Sequence, residues 1–332
     1  MNPNILVTGA TGAVGPRVVQ SLHDAGYRIR TLSLDASPSG LLPDDVQVCI
    51  GDVTDQAAVR SALKGVEAVV HLAALLHIVN PPPALRDKYE RINVGGTATV
   101  VGAAVETGVR RIVLFSTIAV YGDSAGQILT EDSPTRPDTF YAQTKLAAEQ
   151  IVLEARSLGG QPLGTVLRLG AVYGSRVKGN YRRLVQSLAR GRFVPIGPGR
   201  NRRTLIYEGD VGRAAVLGVQ QPAAAGRVYN ASDGQFHTLA EIIAAMCQAL
   251  GRNPPRWSVP AGPARAAVGV LEDTARLAGR NSPIVRATVD KYTEDVAVSS
   301  QRIQAELRFL PQFDLSSGWR ETVQEMRRLG EL

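Results

Sequence analysis

Tyr141-Ala-Gln-Thr-Lys145 places a phenol and an ammonium four residues apart in a segment patterned as a helix. Residues i and i+4 share a helix face, and an ammonium beside a phenol holds its pKa below the ordinary value of about 10. A phenol adjusted in this way takes or gives a proton near neutrality. Upstream, Ser116 and Thr117 end a predicted strand, where a hydroxyl can bond both a substrate oxygen and the phenol. By itself the Tyr–Lys spacing is a frequent coincidence on solvated helix faces. Its weight comes from a second pattern. TGATGAVG, residues 8–15, follows the first predicted strand and opens a helix, with Gly9, Gly12 and Gly15 three residues apart. Glycines there allow a tight turn and a close backbone approach to a diphosphate. The helix N-terminus then offers unpaired N–H donors and the positive end of its dipole. Pro16 suits the first helical turn, where its missing N–H costs nothing. The strand–loop–helix context therefore points to a bound dinucleotide.

The end of the second predicted strand, TLSLDAS, selects the cofactor. A carboxylate there bonds the ribose diol of NAD, whereas an Arg meets the 2′-phosphate of NADP. Asp35 can reach the diol, although it stands one or two residues late, and no Arg follows the strand, so NAD is expected. Asp52 in GDVTD lies where an adenine would rest; the competing reading is a turn at a helix N-terminus.

The elements that must hold these groups alternate. Strands are predicted over 5–8, 28–32, 46–50, 68–72, 112–116 and 165–169, several of them almost unbroken Val/Ile/Leu, as befits strands covered on both faces. Helices are predicted over 14–25, 56–63, 93–107 and 141–158. That alternation means an α/β fold with a Rossmann-type, doubly wound parallel sheet. After residue 168 loops dominate around a helix over 181–190, followed by a helix over 211–219, a late strand over 227–230 and a helix over 238–250 begun by a Thr238/Glu241 capping box. The expected organisation is a cofactor domain over 1–167, with 204–230 returning to it. A smaller, mainly C-terminal α+β substrate domain would be built from 168–203 and 231–332.

Composition narrows the class. With 44% apolar and 20% charged residues the chain is an ordinary globular protein. The net charge of +7 over 332 residues is too diffuse to imply nucleic acid, so no such partner is expected. The only cysteines, Cys49 and Cys247, exclude a disulfide framework and suit a reducing compartment. The start, MNPNILVTG, lacks a basic leader, and the apolar run near 68–79, broken by His71 and His77, is shorter than the ~20 residues of a membrane span. A cytoplasmic protein with no membrane partner is expected. His23, His71, His77 and His237 lack any ligand spacing, so no metal is expected.

Taken together, these motifs resemble the extended short-chain dehydrogenase/reductase superfamily, and within it the NAD-dependent sugar-nucleotide epimerase/dehydratase branch, with its UDP-sugar 4-epimerase-like members. TGATGAVG is similar to that family's cofactor loop, GDVTD to its adenine-contact segment and HLAAL (71–75) to its fourth strand end. FSTIAVYG (115–122) and YAQTK are similar to its catalytic strand and helix. RLGAVYG (168–174), NRRTLIYEGDVGRA (201–214) and VYNASDG (228–234) match its later landmarks. The resemblance implies Thr117, Tyr141 and Lys145 as the catalytic triad. It implies cofactor contacts at Gly9, Thr11, Gly12, Ala13, Val14, Gly15, Asp35, Asp52, Val53, Leu72, Ala73, Ala74, Asn93, Ser116, Tyr141 and Lys145. The implied reaction oxidises a sugar hydroxyl at C4 and returns hydride to the opposite face.

Family dehydratases carry Asp and Glu directly after the catalytic Thr; here Ile118 and Ala119 stand there, so 4,6-dehydration is not expected. C3 or C5 epimerisation usually needs an added acid–base group, often Cys, and neither cysteine lies near the motifs. A 4-epimerase is expected, with a 4-dehydrogenase or 4-keto reductase of a nucleotide-sugar or steroid-like substrate as the alternative. On the substrate side Thr117, Asn180 and Arg203 are implied, the last as a phosphate-binding Arg. Ala171 departs from the family's diphosphate-contacting Asn. By analogy with relatives, the helices over 93–107 and 141–158 would pair across a two-fold in a homodimer.

Overall fold

Ile5, Leu6 and Val7 of the first strand are all fully buried, which is possible only with helices on both faces of its sheet. The computed structural model describes residues 4–76, 78, 82–278, 282 and 285–332. His77, Val79 at the end of the apolar run near 68–79, and Met1–Pro3 lie outside the described residues. The chain runs β1 (Asn4–Thr8), α1 (Gly15–Asp24), β2 (Arg28–Ser33), β3 (Gln47–Ile50), α2 (Gln56–Ala62), β4 (Ala68–His71), α3 (Arg86–Tyr89), α4 (Gly96–Glu106) and β5 (Arg111–Thr117). It continues through β6 (Ile128–Leu129), α5 (Phe140–Glu154), β7 (Gly164–Leu169), β8 (Ala171–Tyr173), α6 (Asn180–Ala189), β9 (Arg202–Arg203), β10 (Leu205–Tyr207) and α7 (Glu208–Gln220). It ends with β11 (Arg227–Ala231), β12 (His237–Thr238), α8 (Leu239–Leu250), α9 (Ala261–Leu277), α10 (Arg286–Thr293), β13 (Ala297–Val298), α11 (Gln301–Leu307) and α12 (Leu315–Arg328).

Seven of these strands form one parallel sheet in the order β11-β7-β5-β4-β1-β2-β3. The order reverses between β1 and β4, which opens a crevice beyond their C-terminal ends. Side chains alternate across the sheet. Ile5 and Val7 pack with Val18, Leu22, Val211 and Ile303 of α1, α7 and α11. Leu6 packs with Val59, Val100 and Val152 of α2, α4 and α5. A third core joins α6, α8 and α12 through Val185, Ile242, Met246, Trp319 and Met326, with Tyr173 stacked on Trp319 at 4.5 Å. Of the segment 204–230, α7 and β11 lie on the sheet, while Leu205 and Tyr207 of β10 belong to the third core.

Two expected helices differ in detail. The helix expected over 141–158 ends at Glu154, because Ala155 turns extended, Arg156 pairs with Pro162 and Gly160 adopts φ +78°. The helix expected from 93 is entered through a wide π-type turn over Glu90–Gly95. The Thr238/Glu241 capping box is formed as expected. No helix among the described residues is long and apolar enough to cross a membrane.

The register of α5 on β7 depends on a missing side chain, since a Cβ on Gly164 would overlap the Val152 carbonyl. Gly164→Ala should therefore cost about 1–3 kcal/mol. Urea unfolding checks this, with a lowered midpoint and an unchanged slope.

Candidate active site

The glycine loop is tight. Gly9 has φ +70°, donates its N–H to the Leu32 carbonyl, and would bring a Cβ to 2.8 Å from Ala73 N. A Cβ on Gly15 would overlap the Ala10 carbonyl. Gly12 donates to Gly9 O at 3.0 Å and Gly15 to Gly12 O at 3.3 Å. Val14 stands at the N-cap of α1 and offers no side-chain acceptor, so no side chain closes over the helix's first N–H groups. Thr11, Gly12, Ala13 and Val14 form the accessible rim. The backbone cradle and the uncapped helix end fit the diphosphate of a dinucleotide.

Behind the loop lies a residue the sequence did not single out for this role. His71 Nδ1 is 2.7 Å from Thr8 Oγ1 and its Nε2 is 3.1 Å from Thr97 Oγ1. The single Thr97 hydroxyl proton goes to the Asn93 carbonyl, so Nε2–H donates to Thr97 and Nδ1 accepts from Thr8. Burial, with the Lys145 charge, pushes His71 down to about 3 and keeps it neutral. It thereby ties β1 and β4 together at the crevice. Leu72, Ala73 and Ala74 follow, half-exposed, along the rim.

Among the expected cofactor residues, Asn93 and Ser116 make hydrogen bonds within the protein. Asn93 accepts from Leu75 N at 2.7 Å and donates to Leu75 O and Thr144 Oγ1, so both its amide hydrogens serve the protein. It fastens the loop after β4 to α5. Ser116 points inward and donates to Glu149. Asp35 is exposed, two residues beyond the end of β2; Ser33 is the strand's last residue, buried and next to the Leu32 that pairs with Gly9. Asp52 accepts from Thr54 N at 2.9 Å, in the turn ahead of α2 that Asp55 caps, as in the competing reading above. Val53 is buried against Gly96.

Thr139 caps α5 by accepting from Ala142 N, which starts the helix so that Tyr141, Lys145 and Glu149 follow at four-residue intervals on one face. Glu149 holds a buried pair with Arg168 of β7, with Nη2–Oε2 at 2.6 Å and Nε–Oε1 at 3.0 Å. Arg168 also donates to Tyr121 Oη at 2.8 Å and lies over its ring, and Tyr121 donates to Asn230 of β11. Sequence reading missed Glu149, Arg168 and Tyr121. The one signal available was the third member of the helix spacing, Glu149 after Tyr141 and Lys145.

Burial pulls the Lys145 ammonium down to about 8, against the attraction of Glu149. Tyr141 does not show the depressed pKa expected from its lysine. Burial, with Tyr89 nearby, pushes its phenol up to about 12. A phenolate in this half-buried place lacks the solvation that an ammonium one turn away would have to replace. Thr117, the last residue of β5, accepts from Ala119 N at 3.2 Å, which leaves its hydroxyl proton available to a ligand. Ile118 turns into a small core with Val298, while Ala119 is half-exposed.

On the substrate side, Asn180 is exposed at the start of α6. Arg203 donates to the Lys291 and Tyr292 carbonyls at the C-terminal end of α10 and faces Glu294 at 3.7 Å. That helix end is negative, so it competes for the guanidinium expected at a phosphate. Arg202 is paired with Asp295 at 2.7 Å. Among the described residues no group of three or more His, Cys, Asp or Glu could hold a metal.

The model of the NAD dependent epimerase/dehydratase family matches residues 5–232. The chain belongs to this family. One relative, N-acetyl-alpha-D-glucosaminyl-diphospho-ditrans,octacis-undecaprenol 4-epimerase of Escherichia coli O157:H7, is 29% identical over 98% of this chain and 95% of its own length. The dTDP-glucose 4,6-dehydratase of Streptomyces griseus is 30% identical over 97% of this chain and 94% of its own. The structure of MoeE5 in complex with UDP-glucuronic acid and NAD superposes with a TM-score of 0.77 at 26% identity, over 98% of this chain and 99% of that one. The matched span of the epimerase/dehydratase model runs from the glycine loop through the Tyr–Lys helix to β11.

Two outcomes test this framework. Glu149→Gln leaves the Arg168 guanidinium buried without its counter-charge, and should cost about 3–5 kcal/mol in urea unfolding. His71 sits well below its ordinary 6.5 in the folded protein, so the unfolded chain binds the extra proton as pH falls from 6.5 toward 3. Its contribution is fully present above 6.5 and is lost on acidification, by about 1.4 kcal/mol per unit. Unfolding free energies measured between about pH 6 and about pH 4 should fall less steeply in His71→Gln than in the parent, by about one bound proton.

Proposed function

We propose that this chain is an NAD-dependent 4-epimerase of a sugar carried on a diphosphate, of the UDP-sugar type. What supports this most is Tyr141 and Lys145 one turn apart on α5, a helix that Glu149 ties to Ser116 next to Thr117, in a chain of the epimerase/dehydratase family. The E. coli relative is named a 4-epimerase, and its name puts the sugar on a polyprenyl diphosphate instead of a nucleotide.

NAD, when bound, supplies the hydride acceptor and donor and a positive charge beside the phenol. Residues 9–15 would hold its diphosphate, Val53 and 72–74 its adenosine flank, Asp35 or Asp52 its ribose and base, and Lys145 its second ribose. Tyr141 Oη accepts the proton of the sugar hydroxyl at C4 and later returns it. With its pKa near 12 in the free protein, the phenol is neutral until positive charge lies beside it. Lys145 is charged below about pH 8 and supplies part of that charge. Thr117 donates to the same sugar oxygen and orients it. Ile118 and Ala119 cannot move a proton, which separates this site from that of a dehydratase. Asn180 would contact the diphosphate, with Arg203 once it is released from α10.

A net 4-dehydrogenase or 4-keto reductase is the second reading, favoured by Ala171 and by the engagement of Arg203 at α10. We also propose a cytoplasmic homodimer, supported by the free thiols Cys49 and Cys247 and by the exposed small residues Gly95, just before α4, and Ala98 and Gly102 on it. The purified protein should interconvert UDP-glucose with UDP-galactose, or their N-acetyl forms, without net change in the absorbance of reduced cofactor. Stoichiometric change in that absorbance would move the assignment to the second reading. Tyr141→Phe should lower turnover by about 10²–10⁴-fold, while NAD affinity measured by calorimetry stays within a few-fold.

A further inference from the structure

We propose that the face formed by residues 190–194, 252–259 and α9 docks on the surface of an anionic lipid bilayer. Val259 is bonded to Pro195 and Gly197 and leads through Pro260 directly into α9, so the two loops and the helix are continuous. Large apolar side chains stand in water there: Trp257 is 84% exposed, Val194 56%, Val270 64%, Leu271 59% and Leu277 89%. On α9 only Gly269 is buried, against Arg286 of α10. The opposite face carries Ala267, Val270, Leu271, Thr274 and Leu277, one uncharged exposed stripe on a 17-residue helix. Such a stripe beside an exposed Trp suits the headgroup boundary, where the helix lies in the plane.

Charge decides the occupant. No Asp or Glu occurs from 155 to 207 or from 242 to 271. Arg192, Arg252 and Arg256 are exposed and carry no ion pair among the described residues, with Arg252 placed beside Gly191. The nearest acids on α9, Glu272 and Asp273, are held by Arg286. A second copy would bring the same arginines against these, whereas an anionic bilayer neutralises them. The expectation of no membrane partner rested on the lack of a spanning segment, which surface binding does not need. The inference stands on this surface and not on the chemistry of Tyr141.

The test is sedimentation of the whole protein with phosphatidylcholine vesicles, with and without phosphatidylglycerol. Trp319 is buried, so Trp257 reports contact through its fluorescence. The proposal expects co-sedimentation and a blue shift with phosphatidylglycerol vesicles only, weakened by salt. Arg252→Gln with Arg256→Gln should lower the partition about thirtyfold. Val270→Glu with Leu271→Glu should lower it at least tenfold while circular dichroism and soluble-substrate turnover are kept. Protein that stays in the supernatant with both vesicles at low salt would overturn the proposal. So would binding unaffected by these variants, or variants that dissolve a self-association and leave vesicle binding unchanged.

Discussion

The buried Glu149–Arg168 pair sets the geometry of the side of the molecule that carries the proposed catalytic groups. It joins helix α5, which carries Tyr141 and Lys145, to strand β7, and through Ser116 it reaches the strand that ends in Thr117. Through Tyr121 and Asn230 it extends to the sheet's edge at β11. A carboxylate and a guanidinium removed from water are tolerable only when each finds its partners, and here each lone pair and donor named has one. The pair therefore fixes the rotation of α5 about its axis more tightly than apolar packing would, and so fixes which side chains face the crevice.

The cofactor side is held by shape and by neutral hydrogen bonds. The parallel sheet brings the C-terminal ends of β1, β4 and β5 to one edge, and the reversal of strand order leaves room beyond it. Glycine at 9 and 15 lets the loop lie where a side chain would strike Ala73 or Ala10. His71, neutral and saturated by two threonines, locks that edge without adding a charge near the proposed diphosphate site. Tyr141 on α5 is a phenol that is harder to ionise than an exposed one. On the proposed reading, the burial that raises the phenol of Tyr141 would leave it a weak base until positive charge lay beside it, coupling proton transfer to occupancy of the crevice.

Much of this was legible in the order of residues. The glycine spacing, the Tyr141/Lys145 spacing, the unbroken apolar strands and the Thr238 capping box are local patterns, each governed by backbone sterics or a helix or strand period. They determined the parallel α/β sheet, the tight glycine loop at its crevice and the face of α5 that Tyr141, Lys145 and Glu149 share. The end of α5 was misplaced by four residues because the strand-like pairing of Arg156 with Pro162 overrode a helical pattern.

What only the tertiary structure decided is the company each side chain keeps. The resemblance placed Asn93 and Ser116 at the cofactor; within the protein their hydrogen bonds run to Leu75, Thr144 and Glu149. Arg203 was read as a phosphate ligand, and the carbonyl end of α10, nearly ninety residues on, holds it. Glu149 and Arg168 are 19 residues apart, and nothing in their spacing announces that they meet. Local periodicity fixes the direction in which a side chain leaves its own helix or strand; its partner, its burial and hence its pKa depend on segments remote in the chain, and those are settled only when the sheet closes against its helices.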